Sequence, residues 1–192
     1  MTGKTVATIT WRALGREGQD TCRLARADQG WLLMGHARFH SDDGFAALDY
    51  VIRCTEDWQT LDADIAGTHG DLDVRLHIDQ RQGVWHVNDT PQTGLEDATD
   101  IDLSFTPATN LMPLRRLAKQ VKDTLTTRAA WLQYPAATLT PLDQTYKRTP
   151  TYGLITYKAR QTDFSTTLEV NDAGFITNYP DLWHAEDQHV PL

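Results

Sequence analysis

The chain reads as an all-β protein, an antiparallel meander with room for one or two short helices. Three observations say so. Apolar and polar residues alternate with a period of two over much of its 192 residues. Bends that join Asp, Asn or Gln to glycine recur between the alternating runs. Helical spacing is confined to one window.

Taken in order, Val6–Trp11, Thr21–Arg26, Trp31–Phe39, Phe45–Thr55 and Trp58–Ala66 spell strands. The purest alternation follows: Leu72, Val74, Leu76 and Ile78 against Asp71, Asp73, Arg75 and His77, which places the four aliphatics on one face of a pleated strand. Trp131–Leu139, Tyr152–Lys158 and Phe164–Val170 read the same way, less regularly. Asp28-Gln29-Gly30-Trp31, Asp42-Asp43-Gly44-Phe45, Gln80-Arg81-Gln82-Gly83 and Asn171-Asp172-Ala173-Gly174-Phe175 are hairpin bends, because glycine accepts positive φ at low cost. Between Leu111 and Thr126, Leu114, Leu117, Val121 and Leu125 recur at spacings of three and four, compatible with helix or strand; Pro113 suits the start of a helical turn. A meander of this kind closes into a barrel, folds into a sandwich, or curls around a short helix or ligand.

Residues 1–192 carry no linker or repeat that would divide them, and a single domain of this length can bury roughly 70 % of its unfolded surface. Hydrophobic residues make up 40 % and charged residues 23 %, ordinary for a globular protein. The net charge of −8, with its 18 Lys and Arg dispersed, repels a phosphate backbone, so nucleic acid is not an expected partner. Met1–Trp11 lacks the apolar block of a secretory signal, and no window approaches the ~20 apolar residues of a membrane span. A cytoplasmic protein with Cys22 and Cys54 as reduced thiols is expected. No Gly-x-Ser-x-Gly and no phosphate-cradling glycine loop is present, so neither nucleophilic catalysis nor a cofactor is indicated.

A four-residue loop at 80–83 would set His77 opposite His86, with Arg75 and Asp79 on the same polar face. Two imidazoles and a carboxylate are metal-ligand types, but no third ligand at tetrahedral geometry is specified, and a solvated face is the plainer reading.

The densest chemistry lies in Asp100-Ile101-Asp102-Leu103 and the segment that follows it. On a strand, Ile101, Leu103 and Phe105 share one face while Asp100 and Asp102 share the other; the loop stiffened by Pro107 and Pro113 returns Asn110, Arg115 and Arg116. These residues are either salt bridges and turn bonds of a long connection or a polar site. Asp100 and Asp102, about 6.6 Å apart at Cα, could also act as acid and base in glycoside hydrolysis. Six tryptophans, with Tyr134, Tyr146, Tyr152, Tyr157 and Tyr179, are more rings than a plain β core needs, and rings with a polar tip suit a pocket for a sugar or head group.

Asp-x-Asp-Leu at 100–103, Thr-Pro-x-Thr-Asn at 106–110, Pro-x-Arg-Arg-Leu at 113–117, and the ending Gly174-Phe175-Ile176-Thr177-Asn178-Tyr179-Pro180-Asp181-Leu182-Trp183 resemble the bacterial Putative glycolipid-binding family. Trp11, Gly30-Trp31, Asp57-Trp58, Gly83-Val84-Trp85 and Gln144-x-Tyr146 fall in the same order, so the likeness covers most of the chain. Ala98 and Ala108 depart from it, standing where the family often has Cys and Phe. The resemblance implies a curled antiparallel sheet, a half-barrel-like spiral β-roll similar in outline to carriers that shelter acyl chains in bacterial lipoprotein transport. It also implies an amphiphilic partner, a glycolipid or related lipid, bound without catalysis, with Asp100, Asp102, Asn110, Arg115, Arg116, Tyr146, Tyr179 and Trp183 as ligand-binding candidates. Two other readings stay open: a hydrolase or isomerase working through Asp100 and Asp102, and a protein-interaction module with no small ligand.

Overall fold

The computed structural model describes residues 3–189. Its first eight strands are β1 (Lys4–Ala13), β2 (Gly18–Arg26), β3 (Trp31–Ser41), β4 (Gly44–Cys54), β5 (Thr60–His69), β6 (Leu72–Arg81), β7 (Val84–Val87) and β8 (Thr90–Gln92). After β9 (Asp100–Leu103) come a 3-10 turn at Ala108–Asn110 and α1 (Leu111–Lys119). The chain finishes with β10 (Thr124–Leu132), β11 (Leu139–Arg148), β12 (Leu154–Ala159), β13 (Phe164–Val170), β14 (Ile176–Tyr179) and β15 (Trp183–His189). All fifteen strands form one sheet in the order β8-β7-β6-β5-β4-β3-β2-β1-β15-β14-β13-β12-β11-β10-β9. The sheet curls without closing into a barrel: its edges, β8 and β9, do not pair. Instead β9 tucks against β5, where Thr60 N donates to Thr99 O at 3.1 Å and Ile101 N donates to Thr60 Oγ1 at 3.0 Å.

The all-β curl with a short helix matches the expectation, with one correction. The sheet is not wholly antiparallel, because β9 and β10 run parallel. A parallel pair needs a crossover, and the 3-10 turn and α1 are that crossover. The helix therefore lies inside the curl, with Leu111, Met112, Leu114 and Leu117 buried against the strands. Met112 Sδ accepts from Cys54 Sγ at 3.2 Å and Thr60 Oγ1 at 3.4 Å, and Cys22 and Cys54 are buried free thiols.

Three local expectations are also corrected. Trp131–Leu139 is no single strand: β10 ends at Leu132 and β11 begins at Leu139, with Pro135 in the turn. The Leu111–Thr126 window splits, since the helix stops at Lys119, Val121 is 98 % exposed and Leu125 belongs to β10. The 80–83 bend is a two-residue turn with Gln82 and Gly83 at φ 53° and 81°, so Asp79, not His77, faces His86. A register shift of two keeps every side chain on its face, which is why Trp85 and Val87 are still buried. His77 instead meets Asp64 of β5 at 2.8 Å. No grouping of three or more His, Cys, Asp or Glu with metal-site geometry occurs among the described residues.

The C-terminal aromatics close the seam between the two ends of the chain. Trp183 pairs with Ala13 of β1 and with Tyr179 of β14, and Trp11 Nε1 donates to Ile176 O at 2.6 Å.

Candidate functional site

The two aspartates of β9 alternate with Ile101 and Leu103 as expected, but both faces of this strand are covered. Asp100 is 1 % exposed and forms a fork with Arg116, Nη1 to Oδ1 at 2.7 Å and Nη2 to Oδ2 at 2.5 Å. Thr127 Oγ1 donates a further bond at 2.8 Å, and Arg116 Nη1 also reaches Trp58 O at 2.7 Å. This cluster ties β9, α1 and β10 together, and both carboxylate oxygens of Asp100 are engaged.

Asp102 takes no part in that pair. Gln144 Nε2 of β11 donates to its Oδ2 at 2.8 Å and bonds the Tyr157 hydroxyl at 3.0 Å. Burial pushes the Asp102 carboxyl up to about 6; the Gln144 bond opposes this, and the charge of Asp100 adds to it. Asp102 opens onto a cleft of about 290 Å³ between β9, the connection to α1, and β10–β15. Trp131, Tyr157, Phe164, Tyr179 and Trp183 supply its rings, and Thr106 and Asn110 supply polar groups. The rings pack on one another, Tyr157 to Tyr179 at 5.9 Å and Phe164 to Tyr179 at 6.0 Å between centroids, so the wall is preformed. Beneath it, the Tyr146 hydroxyl donates to Asn110 Oδ1 at 2.7 Å, and burial raises the Tyr146, Tyr157 and Tyr179 hydroxyls well above the usual tyrosine range.

Of the eight residues singled out in sequence, Asp102, Asn110, Tyr179 and Trp183 meet around this cleft, with Tyr146 behind Asn110. Asp100 and Arg116 are locked together at the other end of β9, and Arg115 points into a different cleft, beside α1. Sequence reasoning did not place Gln144 or Phe164 at a site, and it named Tyr157 only among the rings that suit a pocket. The spacing of Gln144-x-Tyr146 was the available signal, since it puts the amide and a candidate ring on one strand face.

Other polar groups are buried away from this wall. Asp20, also raised to about 6 chiefly by burial, accepts from Tyr50 at 2.8 Å and from Thr106. A relay of Ser41 Oγ, His69 Nε2 at 2.8 Å, and His69 Nδ1 with Tyr134 at 3.0 Å looks catalytic in composition, but Ser41 also bonds Asp43 N and Gly44 O of its own turn. Where acyl chains were expected on the concave face, α1 and rings such as Trp11, Tyr50, Phe105 and Phe175 are buried among the described residues.

Among known proteins, a family model described as Putative glycolipid-binding matches residues 8–185. The crystal structure of a DUF1089 family protein from Pseudomonas aeruginosa superposes with a TM-score of 0.72 at 24 % identity, over 86 % of this chain and 91 % of that one, which shows a shared fold. No curated protein matches the sequence. No helix among the described residues is long and apolar enough to cross a membrane.

Proposed function

The chain belongs to the Putative glycolipid-binding family, and we propose that it is a non-catalytic binder of a glycolipid or related amphiphile whose sugar sits in the Asp102 cleft. The observation that carries this reading is the wall itself: five rings beside a carboxyl held by Gln144 and an amide held by Tyr146. Apolar faces of a sugar ring stack on aromatics, while its hydroxyls need a few fixed acceptors and donors. A cleft of about 290 Å³ suits a head group rather than a whole lipid, and the exposed Leu182 at its lining gives an alkyl chain a path outward. Each buried methylene contributes about 0.8 kcal/mol, so head and chain together can reach micromolar affinity after ordering costs.

Calorimetric titration of a glycolipid panel against the protein and its Asp102→Asn and Tyr179→Ala variants tests the reading. Saturable binding weakened about tenfold or more by either variant is expected. Binding indifferent to both, or none across the panel, would leave a protein-interaction module as the better account. One feature favours a second reading: a carboxyl poised near 6 in a cleft is a potential general acid. Asp100, its supposed partner in hydrolysis or isomerisation, is committed to Arg116, so turnover abolished by Asp102→Asn is the result that would promote the enzyme.

A further inference from the structure

A second cleft, of about 410 Å³, lies between α1, the β11–β12 turn and the β13–β14 turn. We infer that it binds a single-chain anionic amphiphile, with a phosphate or carboxylate head on Arg115 and the chain along an aliphatic floor of Leu114, Leu117, Leu154, Ile155 and Val170. This inference is independent of the sugar site, because none of those residues lines the Asp102 cleft.

Arg115 carries the argument. Its guanidinium is half-buried, and among the described residues no carboxylate stands within ion-pair distance of it. Its one hydrogen bond is long, 3.5 Å from Nη1 to Asp172 O. Its guanidinium carbon lies 4.9 Å from the Trp58 ring centroid and 5.9 Å from that of Trp31, the two indoles being stacked on each other. Stacking satisfies the face of a guanidinium but not its five N–H donors, so the edge stays open to an acceptor.

The surroundings keep that edge open. A Cβ on residue 174 would come within 2.7 Å of Arg115 Cδ, so Gly174 makes room for the arginine stem to lie against the β13–β14 turn. The neighbouring cation, Arg148, is occupied: it pairs with Asp123 at 3.1 Å and donates to the carbonyls of Leu117, Gln120, Val121 and Lys122. The carboxylate of Asp172, the acid of the rim, accepts from the Tyr152 hydroxyl at 2.7 Å, and only the backbone carbonyl of that residue meets Arg115. Tyr152 itself is 86 % exposed, a large ring left at the cleft edge. An uncompensated fork at one end of an aliphatic groove fits a charged head and a hydrocarbon tail; a sugar would leave the guanidinium unpaired.

Titrations with dodecyl phosphate, dodecyltrimethylammonium and inorganic phosphate, each below its micelle concentration where one exists, test this on the full chain and on Arg115→Gln, Tyr152→Glu and Tyr179→Ala. Dodecyl phosphate should bind the unaltered protein about tenfold or more tightly than the ammonium compound, and Arg115→Gln should erase that preference. Tyr152→Glu, at an exposed position that leaves the fold intact, should weaken dodecyl phosphate by placing a negative charge on the rim. Tyr179→Ala should leave it unchanged. Inorganic phosphate binding as tightly as dodecyl phosphate would overturn the amphiphile in favour of a small-anion site. Dodecyl phosphate binding that ignores both Arg115→Gln and Tyr152→Glu would overturn the site altogether, and if it then fell with Tyr179→Ala the ligand would belong to the Asp102 cleft.

Discussion

Strands β2–β6 and strands β9–β14 are two stretches of the same sheet that use their inner faces differently. In β2–β6 that face is mainly apolar, with Cys22, Leu24, Leu33, Phe39, Leu48, Ile52, Ala63, Ile65, Leu76 and Ile78 buried, and Asp20, Tyr50 and His69 are its polar exceptions. Charges stand on the outer face in cross-strand ladders, such as Arg53 with Asp62 and Asp64, and Asp64 with His77. In β9–β14 the inner face holds Asp100, Asp102, Gln144, Tyr146, Tyr157 and Tyr179; Gln144 bonds both Asp102 and Tyr157, Asp100 bonds Arg116, and Tyr146 bonds Asn110. The first arrangement is a scaffold closed by its own side chains. The second keeps polar atoms and rings beside clefts, at a desolvation cost that only complete networks offset, and it is where both proposed sites lie.

The seam between the two regions is the place to break the comparison most severely. β15 lies between β1 and β14, so truncation after Asn178 removes the strand that joins the halves, together with buried Tyr179 and Trp183. Thermal denaturation should show a melting temperature lowered by on the order of 10 °C or more. An unchanged transition would mean that the halves hold together through the interior alone.

Within the halves, equal chemistry should have unequal weight. Arg116→Ala leaves Asp100 buried without its partner and should destabilise by roughly 3 kcal/mol in urea titration. Arg53→Ala removes a pair on the exposed face, whose arginine side chain is 42 % exposed, and should cost under about 1 kcal/mol. Similar losses from the two variants would remove the distinction between scaffold and network.

The pH dependence reaches into both regions, because Asp20 belongs to β2 and Asp102 to β9. Asp102 and Asp20 have folded-state pKa values raised to about 6 from 3.8, so between those values the folded protein binds more protons than the unfolded chain. Their stabilising contribution is fully present below about pH 4 and is lost as pH rises through about 6, by up to about 3 kcal/mol for each group. Asp49, Asp64 and Asp143, held low by their cationic partners, act in the opposite sense in more acidic solution. Denaturation midpoints measured from pH 4 to 7 should fall, and Asp102→Asn should flatten part of that slope; an unaffected slope would assign it to Asp20. The smallest effect is expected at Val84→Thr, on the exposed face of β7, which should stay within about 0.5 kcal/mol of the unaltered protein.

Much of this was legible beforehand. The strands with the clearest alternation, Leu72–Ile78 above all, and the Asp-Gly and Asn-x-x-Gly bends read correctly because both signals are local. The meeting of Asp100 with Arg116 followed from a strand face and a returning loop. The split of Leu111–Thr126 did not, since Leu114 and Leu117 pack inside the curl whereas Val121 packs on nothing. The 80–83 register was two residues out because Gln82 adopts positive φ, a conformation that the residue type does not announce. His77 consequently found Asp64, and the candidate histidine pair never formed.

The order of residues thus determined, by itself, which side chains alternate, where the chain turns, and that Asp100, Asp102, Asn110, Arg115, Arg116, Tyr146, Tyr179 and Trp183 were candidates. Only the tertiary structure decided that β15 joins β1, that β9 runs parallel to β10 with the helix inside, and that Asp100 closes an ion pair while Asp102 opens on a cleft. The reason is range. Periodicity and turn chemistry act over a few residues, whereas the environment of a carboxylate is set by whatever distant strand the curl brings over it, Arg116 in one case and Gln144 in the other.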